Sequence, residues 1–548
     1  MVPNDPARSA VALAYHERTK HHLKGFAPGP ETLDWDSPPA PFRRFAGAPC
    51  TRLPLSADGV STSWGDLGSC EGRASASFDR NSLGALLETS FAITAWKTDG
   101  ADRWAVRANP SSGNLHPTEV YLVTSGVSGL VDGLHHYAAD EHVLELRARG
   151  ARFSNAAAEP RVLVGLSSIH WREAWKYGER AFRYCQLDVG HAIAALRYAA
   201  SALGWSARVV HELSTAQVAE VLGLNRSADF AGVEAEDAEC LVELARVDAL
   251  REPCPNVDWL DGTAWTGRAG RVDAHPMYHW PIIEQAARAT AAEAKPRTQA
   301  VAAPCARFHS ELAPSPSAAK SATALLRQRR SAQRFDRAAT QPLPSFLRIL
   351  AALLRPGRVP EDVWGLPPEI QAIVFVHRVD GIEPGSYALL RPGGAGLPQS
   401  HSPSGERWTK PTGCPDDIPL VRLVARDTSA ALRQVCCGQE LARACTFAVA
   451  FMAELGPAVQ RDPANYRRMH QEAGLLGQIL YLESEAEGLR GTGIGCFFDD
   501  LDLHLLQLSE HGFCPIYYFV VGVPLIDPRI ETEPAYRMSP LATPAIST

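Results

Sequence analysis

The chain has 548 residues, of which 45% are hydrophobic and 21% charged, and its formal net charge is −7. That length can bury at least two substantial cores, and the composition is that of a soluble globular protein, not a disordered chain. The mild acidity gives no electrostatic ground for nucleic-acid binding.

The opening MVPNDPARSAVALAYHE has no long apolar run after a basic patch, so no secretory signal is expected. LARACTFAVAFMAEL is broken by charge before membrane-spanning length. Twelve cysteines lie without a CxxC pair, with Cys436 and Cys437 adjacent, which reads as reduced, partly buried thiols in a cytoplasmic protein. YHERTKHHLKGF is polar and partly basic, and suits an anion or a solvated helix face; the proline-rich PGPETLDWDSPPAP follows. Ser82 to Trp96 predicts a helix. Next comes RANPSSGNLHPTEVYLV, Arg107–Val123, a polar loop from Pro110 to Pro117 running into a β-rich stretch from Thr118. Ser111, Ser112 and Asn114 crowd hydrogen-bonding groups into this loop, and Gly113 permits torsions that other residues resist. Such a loop suits the edge of a planar, heteroatom-rich ring, or an ordinary turn before a core strand.

GLVDGLHHYAADEHVLEL has hairpin character, Arg161–Ser167 reads as a strand, and Tyr177–Leu203 reads as one long helix stopped by Gly204. Two stretches read as tethers, Ala287–Lys320 and Arg391–Pro419. The first divides two halves that echo one another. At a constant offset of 284, Arg183 pairs with Arg467, Gly190 with Gly474, Ala202 with Ala486 and Gly204 with Gly488. LVDGLHHY also echoes RVDGIEPGSY. The shared order predicts two similar α+β halves, residues 1–286 and 321–548 with a linker at 287–320, packed as an internal pseudo-dimer.

The second half carries ATALLRQRRSAQRFD, where Arg329, Arg330 and Arg334 surround Ser331. The guanidinium fork suits phosphate or ring oxygens. EAEGLRGTGIGCFFDD, with Gly491, Thr492 and Gly493 at its centre, allows close backbone approach to a bound group. It fits neither GxGxxG nor a Walker loop. His275 and His279 lack a third ligand, so no metal is expected. Asp499 and Asp500 read as caps of the following DLHLLQL, and no GxSxG elbow supports serine hydrolysis.

RRSAQRF, RANPSSGNLHP and GLRGTGIG resemble the flavin-binding segments of the nitroreductase superfamily. YHERTK, RANPSSGNLHPTEVYLV and WKYGERAFRY resemble, more narrowly, its azoline-oxidising peptide dehydrogenases. The resemblance implies an α+β fold in tandem, holding FMN between the copies. Pro110, Ser111, Ser112 and Asn114 would come from the first half, and Arg329, Arg330, Ser331, Arg334, Gly491, Thr492 and Gly493 from the second. It also implies Lys176 and Tyr177 as a catalytic pair removing a ring proton. LLRPGRVPEDVWG lacks a PSS-type loop, and a reciprocal site would have to use His16, Thr19 and Lys20, so one FMN per chain is expected. The implied reaction is dehydrogenation of a peptide azoline or related heterocycle. Its alternatives are NAD(P)H-dependent nitro or quinone reduction, and a degenerate flavin-fold scaffold. Implied partners are a small-molecule or modified-peptide substrate and biosynthetic proteins, with homo-oligomers permitted but not required.

Overall fold

The computed structural model describes residues 5–68, 74–153, 160–246, 257–259, 263–294, 312–393, 409–501 and 512–536. The elements that position the site begin with helix α1 (Pro6–Arg18), strand β1 (Cys50–Arg52), helix α2 (Arg80–Ser90) and the hairpin β2 (Ile93–Asp99) and β3 (Asp102–Arg107). β4 (Thr118–Ser125), β5 (Gly133–Ala138), β6 (Val143–Arg149) and β7 (Arg161–Ser168) follow. Next are α3 (His170–Tyr177), α4 (Ala181–Ala202), β8 (Trp205–Val209) and β9 (Asp237–Arg246). The second half adds α5 (Ala322–Gln328), β10 (Gln371–Val376), β11 (Gly385–Leu389), β12 (Leu420–Val424) and β13 (Phe447–Ala453). It ends with α6 (Asn465–Ala486), β14 (Arg490–Ile494), β15 (Cys514–Gly522) and β16 (Glu531–Glu533).

Two antiparallel sheets dominate. Starting from the strand after each long helix, the first runs β8-β9-β7-β4-β5-β6, and the second runs β14-β15-β13-β10-β11-β12. Taken in chain order within each half, these are the same strand order, and every neighbouring pair is antiparallel in both. β1 extends the first sheet beyond β6. The central strands are buried on both faces: Thr118 to Thr124 are all buried, and so is all of β13. Covering by helices explains why their sequences are near-continuous apolar runs without alternation.

The long helices α4 and α6 lie at the centre and cross at Gly190 and Gly474. All 22 residues of α4 are buried, because it faces its own sheet on one side and α6 on the other. The C-terminal arm then leaves the second half and joins the first. β16 pairs with β2, Thr532 opposite Lys97, and Trp96 donates to the carbonyl of Ala535 at 3.0 Å. Beyond the strand, the Tyr536 hydroxyl donates to Ala139 at 2.7 Å.

Three boundaries differ from the sequence expectation. The helix expected over Ser82–Trp96 ends at Ser90, because ITAWKTD is β-branched and aromatic and finds strand partners on both sides, β3 and β16. The helix expected over Tyr177–Leu203 is two helices. Gly178 breaks it at φ 54°, where an added Cβ would meet Gly29 Cα at 2.4 Å. The tether expected from Ala287 begins inside a helix, Pro281–Ala289, whose Ala286, Ala287 and Ala289 are buried. The DLHLLQL segment and most of the second tether lie outside the described residues.

Candidate active site

The PSSGN loop is held from beneath by α4. The carboxylate of Asp188 accepts the Ser112 backbone N–H at 3.0 Å and its hydroxyl at 2.8 Å. The Ser111 hydroxyl accepts the His116 N–H at 2.8 Å, and the Asn114 amide donates to the Ala105 carbonyl at 2.9 Å. Three residues of the turn, Gly113, Asn114 and His116, adopt left-handed φ of 59°, 60° and 55°. Gly113 also has no room for a side chain, since its Cβ would fall 2.5 Å from the Tyr177 hydroxyl. Burial pushes Asp188 up to about 7 against the opposing hydrogen bonds from the two serines. Glu173, buried behind the loop, is pushed well up too, by burial first and then by Asp188.

The second half closes this loop into a cleft of about 450 Å³, a volume typical of small-molecule sites. RRSAQRF is bonded to β14: Ala332 donates to the Gly491 carbonyl at 2.9 Å, and the Thr492 hydroxyl donates to the Ala332 carbonyl at 2.7 Å. Arg329 crosses to the first half, donating to the carbonyls of Ala108 and Arg107, each at 3.0 Å. Its guanidinium stands 4.9 Å over the Tyr481 ring, and the Tyr481 hydroxyl pairs with Ser331 at 2.8 Å. The floor is His191 and Tyr517. His191 Nδ1–H donates to the Gln478 amide oxygen at 3.2 Å, leaving Nε2 to accept the Tyr517 hydroxyl at 3.1 Å. Burial holds His191 down at about 3, so this histidine is neutral.

One end of the cleft is cationic. Lys97 from β2, Arg329, Arg330 and Arg490 all line it. Burial, then Arg330 and Arg490, pull Lys97 below its ordinary value. Arg330 is drawn down to about 10 by burial, Arg329 and Arg490. Mutual repulsion of this kind marks a place where an anion relieves the charge. Arg329 Nη1 is buried and has no partner, so one charged donor is free within the lining. A polar loop, a free buried donor and a cationic pole match the ring edge and phosphate of FMN, so the residues fit the group.

Of the residues singled out from sequence, Pro110, Ser111, Ser112, Asn114, Tyr177, Arg329, Arg330, Ser331, Thr492 and Gly493 line this one cleft. Three lie elsewhere. Arg334 is exposed and outside the lining. Gly491 is buried behind it, with Phe519 filling the space where a Cβ would stand. Lys176 is not part of the lining; its ammonium stands between the Trp35 and Tyr177 rings, 5.6 and 5.4 Å from their centres. The segment that Asp499 is expected to cap lies outside the described residues, but the partners of Asp499 itself are clear. Asp499 pairs with Arg180 and Arg183 at 2.8 and 2.6 Å and accepts the His21 N–H, buried at the junction of the halves. Among the described residues no cluster could hold a metal ion, and no helix is long and apolar enough to cross a membrane. Sequence reasoning passed over Lys97, Asp188, His191, Tyr481 and Tyr517. Arg490 had a signal, since it directly precedes Gly491 in the glycine-rich segment.

Residues 103–233 match the family model described as Nitroreductase family. An inferred nitroreductase of Methanocaldococcus jannaschii is 26% identical over 131 residues, 22% of this chain and 66% of that protein, just under two-thirds of its length. The crystal structure of an inferred nitroreductase from Anabaena variabilis superposes with a TM-score of 0.68 at 20% identity, covering 94% of this chain and 99% of that one. The E. coli microcin synthetase McbBCD complex with truncated pro-MccB17 bound gives a TM-score of 0.27 at 17% identity, over 45% of this chain and 95% of that one. Residues 103–233 thus resemble the nitroreductase family, and the fold is shared with the Anabaena structure along nearly the whole chain.

Proposed function

We propose that the chain is an FMN-dependent oxidoreductase that holds one flavin in this cleft and reduces nitro or quinone acceptors with electrons from a reduced nicotinamide nucleotide. The observation that carries this reading is the free Nη1 of buried Arg329, set between a cationic pole and the PSSGN loop. FMN, when bound, supplies a ring that accepts a hydride equivalent and passes electrons on. Lys97, Arg330 and Arg490 would hold its phosphate, and Arg329 with Ser111, Ser112 and Asn114 would orient the ring edge. Burial, then the charge of Glu173, raises Tyr177 well above its ordinary value. Its hydroxyl therefore keeps its proton and can donate it toward an acceptor in the cleft.

The reading includes tandem duplication, with copies at 1–286 and 321–548 joined by 287–320. Support comes from the common strand order and the reciprocal glycine crossing. The counterpart of the cleft is filled by protein. Arg197, which the 284-residue offset aligns with Tyr481, donates to both carboxylate oxygens of Asp362 at 2.8 and 2.7 Å, and Val363 and Trp364 are buried beside it. His16 and Thr19 are tied to Arg183, and Lys20 to Asp500.

Azoline oxidation is the second reading. Tyr177 in the cleft favours it, and the Lys176 ammonium stands 5.4 Å from the centre of the Tyr177 ring, although Lys176 itself is not part of the cleft lining. The test uses FMN-loaded protein, reduced nicotinamide, and a para-quinone or nitroarene under anaerobic conditions. Turnover above that of free FMN supports the first reading. No turnover with either acceptor, together with oxidation of a thiazoline-bearing peptide, returns the second.

A further inference from the structure

Three buried polar atoms on residues that line the cleft have no hydrogen-bond partner among the described residues. They are Nη1 of Arg329, Oδ1 of Asn109 and Nδ1 of His116. Arg329 has its role above, and Asn109 has none. Buried amide oxygens are nearly always paired, so a bare one in the wall of an open cleft marks a place for a ligand's donor.

Asn109 lies between the end of β3 and the PSSGN loop, and it is 3% exposed. Pro110 follows it, which disfavours the helical region for Asn109 and keeps the chain extended there. Ala108 donates its N–H to the Ala92 carbonyl at 3.0 Å, which ties this stretch to the first half. The Arg329 guanidinium docks on the same stretch. Its Nε and Nη2 donate to the carbonyls of Ala108 and Arg107, the two residues before Asn109. Those two bonds hold the guanidinium plane, so the direction of the third nitrogen, Nη1, is set. A bare charged donor and a bare neutral acceptor thus meet at one short segment of the cleft wall.

We infer that Asn109 Oδ1 accepts a hydrogen bond from the imide N–H of the bound ring, while Arg329 Nη1 donates to a ring carbonyl oxygen beside that N–H. This contact rests on the flavin reading above and goes further, since it sets which ring atoms the wall selects. The pyrimidine edge of a flavin runs carbonyl oxygen, N3–H, carbonyl oxygen. One donor with one acceptor is complementary to a carbonyl and the N–H next to it. A ring with a substituent in place of the imide proton would leave Asn109 Oδ1 buried and unpaired, and the cleft would reject it.

The test titrates the flavin-free full chain with FMN and with N3-methyl FMN, following flavin fluorescence. Both probes carry the same phosphate, so contacts at the cationic pole cancel in the ratio of their Kd values. The parent should bind the N3-methyl flavin at least about tenfold more weakly. Asn109→Leu keeps the side-chain volume and removes the acceptor. It should weaken FMN about tenfold and leave the N3-methyl flavin within about twofold of its parent value. Asn109→Asp keeps an acceptor and should retain the preference for FMN. Equal Kd values in the parent would overturn the assignment. So would an unchanged preference in Asn109→Leu, which would mean steric exclusion or an acceptor elsewhere, such as His116. A parent that binds neither flavin would overturn the flavin reading itself, a result distinct from binding without discrimination.

Discussion

Gly190 and Gly474 each lie against the backbone of the other's helix in reciprocal fashion. A Cβ on Gly190 would stand 1.9 Å from the Gln471 carbonyl oxygen, and one on Gly474 would stand 2.1 Å from that of Leu187. In each case the glycine of one helix meets the residue three positions before the glycine of the other. That is the geometry of a two-fold contact made within one chain. Rigid backbone cannot yield as a side-chain tip does, so Gly190→Val or Gly474→Val should force α4 and α6 apart. Overpacking of this kind costs about 1–3 kcal/mol. The expected outcome is a lower urea midpoint with weaker FMN retention, read by denaturation and flavin fluorescence on the same preparations.

Arg329 and Arg334 are separated by the structure though neighbours in sequence. Arg329 is buried, bonded to the first half, and has a free donor; Arg334 is exposed outside the cleft. Arg329→Met removes a charged donor whose hydrogen bonds contribute roughly 1.5–3 kcal/mol. It should raise the Kd for FMN by about tenfold or more. Arg334→Ala should leave it within about twofold. Fluorescence titration of flavin-free protein decides; equal losses in both variants would remove Arg329 from the assigned role.

Asp188 predicts a pH dependence. Its folded value of about 7 lies above the ordinary 3.8, so between those limits the folded protein keeps a proton that the unfolded chain has lost. The contribution is fully present below about 4 and is lost as pH rises through about 7. The shift corresponds to a few kcal/mol, roughly 1.4 per unit. Asp188→Asn should flatten this fall. Stability measured from pH 5 to 8 should decline in the parent relative to the variant; parallel curves would contradict the assignment.

Tyr177 and Lys176 should also part company. With its hydroxyl beside Gly113 in the cleft, Tyr177→Phe removes a positioned proton donor, a loss commonly of roughly 10²–10⁴-fold. Lys176→Met should change turnover little, because Lys176 is outside the cleft lining and meets Tyr177 through its ring, not at the hydroxyl. Stopped-flow reoxidation of the reduced, FMN-matched proteins by a quinone is the measurement. A Lys176 variant as slow as the Tyr177 variant would restore the pair.

Much of this was legible in the residues. PSSGN and RRSAQRF carry unusual local chemistry, and the 284-residue offset pointed to the helix crossing through glycines that nothing else explained. What stayed hidden depended on long-range placement. Asp188 and His191 look like ordinary polar residues of a buried helix until the loop and the second half arrive above them. Lys97 belongs to a strand held between β3 and β16, and it directly follows a stretch, Ser82–Trp96, that had read as helix. Lys176 and Tyr177 are adjacent in the chain and the Lys176 ammonium stands 5.4 Å from the centre of the Tyr177 ring, but only Tyr177 lines the cleft.

The central claim is one composite flavin site per chain, with its counterpart filled by Asp362, Val363 and Trp364. The most direct test saturates the full chain with FMN, removes excess, denatures it, and counts released FMN against polypeptide. One equivalent is expected, falling well below one in Arg329→Met. Two equivalents would mean that the counterpart opens to bind flavin, and none would remove the flavin site itself.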